Sequence, residues 1–331
     1  MQRQIIEIKE FGDANLLKVE DKNFDTEMAA NEVIIEVHYS GINFADVVMR
    51  LGLYREAPKK PFIPGYEVSG VVRKIGSDVT KYSIGDQVMA GTRFGGYASH
   101  IKVPDWQLIP LPKDISMSEG AAIPVNYITA HIALNEFARM RAGDKILIEC
   151  ATGGVGVMAM QMAKLVGANV IGLTTSPSKK EFIQSYGAKA YTVEEFYNSN
   201  ENEFDFILNA SGGSVIKQQY SRLKKSGKLT CIGMQAAIND GKSNIFKFMG
   251  TVLTTPWFPL VKLVMDSKSV SGFNALKYFD DDEWMKNNLG VMETIAFKPY
   301  VCESFKATDI SSAHKFLENK KAKGKVVIEW K

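Results

Sequence analysis

Small residues crowd one short stretch of the chain, Ala151-Thr-Gly-Gly-Val-Gly156, which lies between an apolar run ending at Cys150 and an apolar-faced segment beginning at Val155. Set against the pattern G-x-G-x-x-G, Gly153 and Gly156 match and Ala151 replaces the first glycine. The chemistry that suits such a bend is the binding of a pyrophosphate. Backbone must approach it closely, and the N–H groups opening a helix must face it. A strand before and a helix after is the context the motif needs. Gly153, Gly154, Val155 and Gly156 are therefore candidate cofactor-binding residues. The end of the next apolar run reads Gly172-Leu-Thr-Thr-Ser-Pro-Ser-Lys-Lys180. A carboxylate there would hold a ribose 2′-hydroxyl. None is present, and Ser176, Lys179 and Lys180 could neutralise a 2′-phosphate. NADPH is expected over NADH.

Other reactive side chains are scattered. His38, His100, His131 and His314 have no common motif and read as structural. Cys150, Cys231 and Cys302 are far apart and form no CxxC pair. That argues against a structural zinc site and a secreted disulfide framework, and for a cytoplasmic chain. Cys150, in an apolar run, is expected to be an inert buried thiol. The start, MQRQIIEIKEFGD, has no apolar signal-peptide core. Lys+Arg is 40 and Asp+Glu is 37, a balance that does not suggest a nucleic-acid binder.

Positioning these groups takes about two domains for 331 residues. The first third is β-rich, with runs at Val33–Tyr39, Val68–Ile75, Asp86–Met89 and Tyr97–Val103 separated by Gly, Pro and Asp, as in a compact sheet or barrel. Near Ser116 the texture changes, and Ser118 is expected to cap a helix. Strands and helices then alternate: strand Lys145–Cys150, helix Val155–Val166, strand Asn169–Thr174, helix Pro177–Tyr186, strand Phe204–Asn209, helix Val215–Lys225 and strand Lys228–Gly233. Alternation with continuously apolar strands means a parallel sheet covered on both faces. The tail, with a strand at Lys325–Trp330, is assigned back to the first domain. The α/β unit thus becomes an insertion. The apolar stretch Ile245–Met265 is interrupted by Lys247, Pro256, Pro259 and Lys262, too broken for a spanning helix, and reads as a buried or membrane-touching helix pair. Trp257 and Phe258 within it are expected to pack.

The pieces Pro64-Gly-Tyr-Glu-Val-Ser-Gly70, Gly85-Asp-Gln-Val88, Ala151–Gly156, Gly187-Ala188 and Gly324-Lys-Val-Val327 together resemble the medium-chain dehydrogenase/reductase superfamily across nearly the whole chain. Zinc enzymes of that superfamily carry a ligand His where Tyr66 stands and a ligand Cys near Ser40–Asp46. The chain is therefore similar to the zinc-free quinone oxidoreductase branch. Asn43–Asp46, Gly52–Tyr54, Val125–Ala130 and Val270–Phe273 look closest to its vesicle amine transport-type members. The resemblance implies an α/β fold: a GroES-like β-rich catalytic domain (1–124 with 296–331) and an inserted Rossmann, doubly wound, NADPH-binding domain (125–295).

It also implies roles. Asn43 and Tyr54 would line the nicotinamide and substrate cleft, Asn126 and Thr129 would sit near the nicotinamide ribose and phosphate, and Asn209, Gly233, Phe273 and Lys325 would complete the cofactor walls. Ser176 and Lys179 would hold the 2′-phosphate. Glu194, where relatives often have a supporting Tyr, departs from that pattern. The implied activity is metal-free hydride transfer from NADPH to a quinone or other α,β-unsaturated carbonyl, with Tyr54 or water as the proton source. Alternatives are a weakly enzymatic NADPH-binding adaptor with lipid or protein partners, and an enoyl-thioester reductase. A homodimer through the cofactor-domain sheet edge and a peripheral membrane contact complete the expectations.

Overall fold

The computed structural model describes residues 1–235, 245–292 and 297–331, with the main chain alone at 245–248, 280, 290 and 291. Two compact units divide the described chain. One is Met1–Ile128 with Leu276–Lys331, and the other is residues 129–235 with 245–275. These limits differ from the expected 1–124/296–331 and 125–295. Residues 125–128 and the described residues from Leu276 onward cluster with the β-rich unit.

The β-rich unit contains strands β1 (Gln2–Ile6), β2 (Val19–Asn23), β3 (Glu32–Ile42), β4 (Glu67–Ile75), β5 (Gln87–Gly91), β6 (His100–Pro104) and β7 (Leu108–Pro110). Two later strands, β14 (Val301–Lys306) and β15 (Lys325–Glu329), belong to it as well. Its main sheet runs β14-β15-β3-β4-β5-β7, and β6 also pairs with β3. All pairings in that sheet are antiparallel except β14 with β15. The C-terminal strand thus lies against β3, inside the unit that the N-terminal strands build. Val33, Ile35, Val37, Val68, Val72, Val88 and Val103 fill the core. These β-branched side chains suit a pleated surface, and Ile34, Ser69 and Met89 on the same strands are buried as well. Gly70 on β4 lets the strands close, since a Cβ there would run into the Glu36 carbonyl.

The other unit contains β8 (Lys145–Ile148), β9 (Asn169–Thr174), β10 (Lys189–Thr192), β11 (Phe204–Asn209), β12 (Leu223–Cys231) and β13 (Ser269–Gly272). They form one parallel sheet ordered β10-β9-β8-β11-β12-β13. That is the doubly wound order, with a topological switch between β8 and β11, where ligands bind beyond the strands' carboxyl ends. Apolar side chains such as Leu147, Ile171, Phe204, Ile207 and Leu229 form its core.

Several local expectations are corrected. Ser116, not Ser118, caps the short helix Met117–Gly120, because Glu119 stands three residues after it and closes the capping box. The expected helix Pro177–Tyr186 is a 3₁₀ turn, Pro177–Lys179, leading into the helix Lys180–Ser185. The helix expected over Val215–Lys225 stops at Ser221, and β12 begins at Leu223. A kink at Ser226, whose φ is 66°, lets β12 resume after an irregular register. The helix pair is present as Ile245–Thr254 and Leu260–Asp266, but the second helix buries none of its residues. Phe258 packs on Tyr220 at 4.7 Å between ring centres, whereas Trp257 is 87% exposed, contrary to the packing expected of both. No helix among the described residues is long and apolar enough to cross a membrane.

Candidate functional site

In the α/β unit the candidate site is made mainly of backbone. The chain leaves β8 through Cys150, which adopts φ 50°, and Gly153 N–H closes the turn on the Cys150 carbonyl at 2.8 Å. Extended backbone at Gly153 then leads into the helix Gly154–Val166. The first N–H groups of such a helix have no acceptor within it and point outward together. A Cβ on Gly156 would lie 2.6 Å from Ala151 Cα, so only glycine lets the helix seat this close to the strand end. The alanine replacing the motif's first glycine is explained across the sheet. A Cβ on Gly172 of β9 would sit 2.8 Å from Ala151 Cβ, so the two positions share room for one methyl group. Cys150 is half-buried, not the buried thiol expected, and its Sγ donates to Gln235 Oε1 at 3.1 Å.

After β9, Ser176 N–H bonds to Thr174 Oγ1, the Ser176 and Ser178 hydroxyls lie 2.9 Å apart, and Lys179 N–H closes the turn on Ser176. The two lysines separate here. Lys179 is buried, whereas Lys180 pairs with Glu195 at 2.8 Å and is committed away from a phosphate. Glu194 is exposed on the first turn of the helix Val193–Tyr197, beside the capping residue Glu195.

Asn209, at the end of β11, is fully buried. Its Nδ2 donates to Gln219 Oε1 at 2.9 Å and its Oδ1 accepts from Gly212 N–H at 2.9 Å. Gln219 Nε2 donates to Glu149 Oε1, and the other Glu149 oxygen accepts from the Ala210 and Ser211 N–H groups. Asn209 therefore shapes the loop after β11 rather than offering its amide as a wall. Gly233 follows β12, and a Cβ there would lie 3.0 Å from the Ala210 carbonyl. Phe273 stacks on Phe137 at 5.2 Å, and Thr129 is half-buried.

In the β-rich unit the candidate site is made of buried charge. Lys325 opens β15 and Glu67 opens β4, and they form an ion pair with side chains 4% and 0% exposed. Asn43 lies with them: its Oδ1 accepts from Lys325 Nζ at 2.6 Å, and its Nδ2 donates to Glu67 Oε1 at 3.1 Å. The other Glu67 oxygen accepts from Val125 N–H at 2.9 Å. That bond brings in Asn126, itself buried and bonded through Nδ2 to the Ala122 carbonyl. Gly41 makes room for Glu67, since a Cβ there would be 2.6 Å from its Oε1. Asn43 begins the helix Phe44–Arg50, and Asp46 caps it by accepting from Asn43 N–H at 2.8 Å. Tyr54 is half-buried and hydrogen-bonded to Tyr66. Burial pushes the Tyr66 phenol far above its ordinary pKa.

Glu67, Asp46 and Glu149 were not singled out by sequence reasoning. The available signals were a carboxylate in an otherwise small and apolar strand run, Glu67-Val-Ser-Gly-Val-Val72, the capping spacing Asn43-x-x-Asp46, and a carboxylate ending the buried strand before the glycine turn.

A doubly wound parallel unit with a glycine turn at its switch point, in the same chain as a β-rich unit carrying a buried Lys–Asn–Glu cluster, defines the class as a two-domain dehydrogenase/reductase. Comparison with known proteins narrows it. The model of the alcohol dehydrogenase GroES-like domain matches residues 29–113, and that of the zinc-binding dehydrogenase matches 154–286. The chain is 30% identical to the synaptic vesicle membrane protein VAT-1 homolog of Danio rerio over 96% of this chain and 68% of that protein. It is 31% identical to the quinone oxidoreductase-like protein 2 homolog of Nematostella vectensis over 95% of this chain and 86% of that one. Among solved structures, the quinone oxidoreductase from Thermus thermophilus, also solved in complex with NADPH, superposes with a TM-score of 0.79 at 27% identity, covering 99% of this chain and 100% of the other. The chain belongs to the medium-chain dehydrogenase/reductase superfamily, in the branch that holds the VAT-1 and quinone oxidoreductase proteins.

The zinc named in one family model does not fit these residues. Catalytic zinc takes Cys, His or carboxylate ligands in a tight cluster. Tyr66 is buried with its hydroxyl on Met49 Sδ at 3.5 Å, and Ser40 Oγ is held between the Gly96 carbonyl and Trp330 Nε1. Among the described residues no group of three or more His, Cys, Asp or Glu is placed to hold a metal ion.

Proposed function

We propose that the chain is a zinc-independent, NADPH-dependent oxidoreductase that reduces a quinone or another α,β-unsaturated carbonyl. The observation that carries this reading is the glycine turn between β8 and its helix, where the lack of a side chain on Gly156 lets the start of the helix seat against Ala151 and the Cys150 carbonyl. Gly154, Val155 and Gly156 bind the pyrophosphate through backbone N–H groups, Gly153 turns the chain toward it with its own N–H held by the Cys150 carbonyl, and Ser176 with Lys179 takes the 2′-phosphate. In the α/β unit Thr129, Gly233 and Phe273 bound the rest of the cofactor, with Asn209 holding the loop beside it, and in the β-rich unit the family resemblance gives Asn126 and Lys325 a cofactor-binding role. When bound, NADPH supplies the hydride to the conjugated carbon, and the bond electrons move to the carbonyl oxygen. Without a Lewis acid, an acceptor that is already electron-poor needs the least help. Asn43 orients the acceptor, and Tyr54 or water returns the proton.

Steady-state turnover with NADPH and 1,4-benzoquinone or 9,10-phenanthrenequinone tests this. Tight NADPH binding without turnover of either would sink it and leave the NADPH-binding adaptor. An enoyl-thioester substrate in the same assay separates the third reading.

A contact between two copies of the chain is favoured by one observation: Leu253, Trp257, Leu260, Val261, Val264 and Met265 are each at least 74% exposed. A patch of this kind marks a contact surface. We assign it to a homodimer through the open edge of β13, which follows the exposed helix in the chain, in a cytoplasmic protein. Leu260→Lys should then lower the mass found by sedimentation to that of one chain. A mass unchanged by the substitution, with binding to anionic vesicles, would support a peripheral membrane contact instead.

A further inference from the structure

Asp46 is fully buried, and its Oδ1 has no hydrogen-bond partner. Its Oδ2 accepts from Asn43 N–H at 2.8 Å and from Tyr97 Oη at 3.1 Å. Behind Tyr97, at 3.3 Å, stands His314 Nε2, also buried, whose Nδ1 has no partner. A neutral side chain would cap this helix as well, and a buried carboxylate oxygen without a donor costs stability. Capping alone does not explain the acid. The Asn43 side chain, besides its place in the capping box, is bonded to Lys325 and Glu67.

We propose that Asp46 is a positioning residue whose negative charge, braced by Tyr97 and His314, holds the Asn43 backbone so that its side-chain amide stays wedged between Lys325 and Glu67. Its importance for turnover rests on the reductase reading above, and the position of Asn43 can be read without it.

The groups acting on Asp46 are Asn43 at the start of its own helix, Tyr66 just before β4 and Glu67 on it, Tyr97 before β6 and Lys325 on β15, while Arg50 and, on the helix Ile310–Glu318, His314 act on Tyr97 behind it. Arg50 is itself paired with Glu318 at the end of that last helix. Burial, helped by Glu67, raises the Asp46 carboxyl against the pull of Asn43 N–H, Lys325 and Tyr97, and the balance lies at about 7. Burial, with Arg50 adding, lowers His314 to about 3, so it stays neutral. Burial and the Asp46 charge raise Tyr97 well above its ordinary value, so it stays a donor. Of these three, Asp46 alone changes charge near neutrality.

The test follows the Asn43 side-chain amide by NMR in the cofactor-free protein from pH 5 to 9. The wild-type resonance should move with one inflection near 7, and in Asp46→Asn it should not move. The variant should be more heat-stable than wild type at pH 8, since a buried charge is gone. Its kcat at that pH should fall by about tenfold or more, with KM for NADPH changed less than about twofold. Tyr97→Phe removes a donor to the carboxylate and should shift the inflection upward. A wild-type resonance that does not titrate, or an Asp46→Asn variant with the wild-type rate and pH profile, overturns the proposal. Lower heat stability in the variant together with lost activity also overturns it, because the role would then be structural. Should the variant not fold, Tyr97→Phe decides, and an unshifted inflection counts against. Titration of the amide in a protein that turns over no acceptor supports the proposal and defeats the reductase reading.

Discussion

The two units build their candidate sites from opposite materials. In the α/β unit the proposed pyrophosphate cradle is backbone, drawn tight because Gly156 and Gly172 carry no side chain. In the β-rich unit the site is side chains, with Lys325, Asn43 and Glu67 locked together in a place almost closed to water. The first kind depends on room, the second on charge balance. A cradle fails when something is added, and a charge cluster fails when something is removed.

That contrast is sharpest at Lys325. Lys325→Ala leaves Glu67 buried without its counter-ion and should destabilise the chain by about 3–5 kcal/mol in urea unfolding. Lys325→Met with Glu67→Leu should recover most of that stability yet no reductase activity. If the double variant turned over a quinone normally, the cluster would be packing and nothing else.

The cradle should answer to the reverse change. Gly156→Ala puts a methyl group against Ala151 and should cost about 1–3 kcal/mol by overpacking, with NADPH affinity falling more steeply than stability. A variant that binds NADPH as wild type would break the assignment of the turn.

Charge balance also gives a pH dependence with a definite sign. The folded Asp46 carboxyl is raised to about 7, above its ordinary 3.8, so the folded state binds that proton more tightly. From this group, stability is fully present below the ordinary value and is lost as pH rises through about 7. The melting temperature of wild type relative to Asp46→Asn should therefore fall between pH 5 and pH 8. A difference constant with pH would mean that Asp46 does not titrate there.

A milder comparison sets neighbouring lysines against each other. Lys179→Ala should raise KM for NADPH about tenfold while leaving NADH nearly unchanged. Lys180→Ala breaks only an exposed pair with Glu195 and should cost about 0.5 kcal/mol or less, with little effect on either cofactor. Equal effects from the two would remove the 2′-phosphate role of Lys179.

Much was legible from sequence because it rests on local physics. Alternating β-branched runs, apolar strands between helices and a glycine turn at a strand end follow from periodicity and steric room, and they announced both sheets and the turn. Ala151 looked like a defect in the motif until the sheet set Gly172 opposite it. Boundaries moved where tertiary pairing overrode pattern. Strand β12 begins at Leu223, ahead of the expected start at Lys228. The kink at Ser226 lets the chain pair with β11 on both sides of Gly227, which no periodicity announces.

The sequence by itself determined the two sheets, the glycine turn and the lysines after β9, because hydrophobic period, backbone freedom and local charge act between near neighbours. Only the tertiary structure decided which charges meet. Lys325 and Asn43 stand 282 positions apart, Asp46 and Tyr97 51, and Tyr97 and His314 217. Bonds across such separations depend on strand order and register, and no local pattern encodes them.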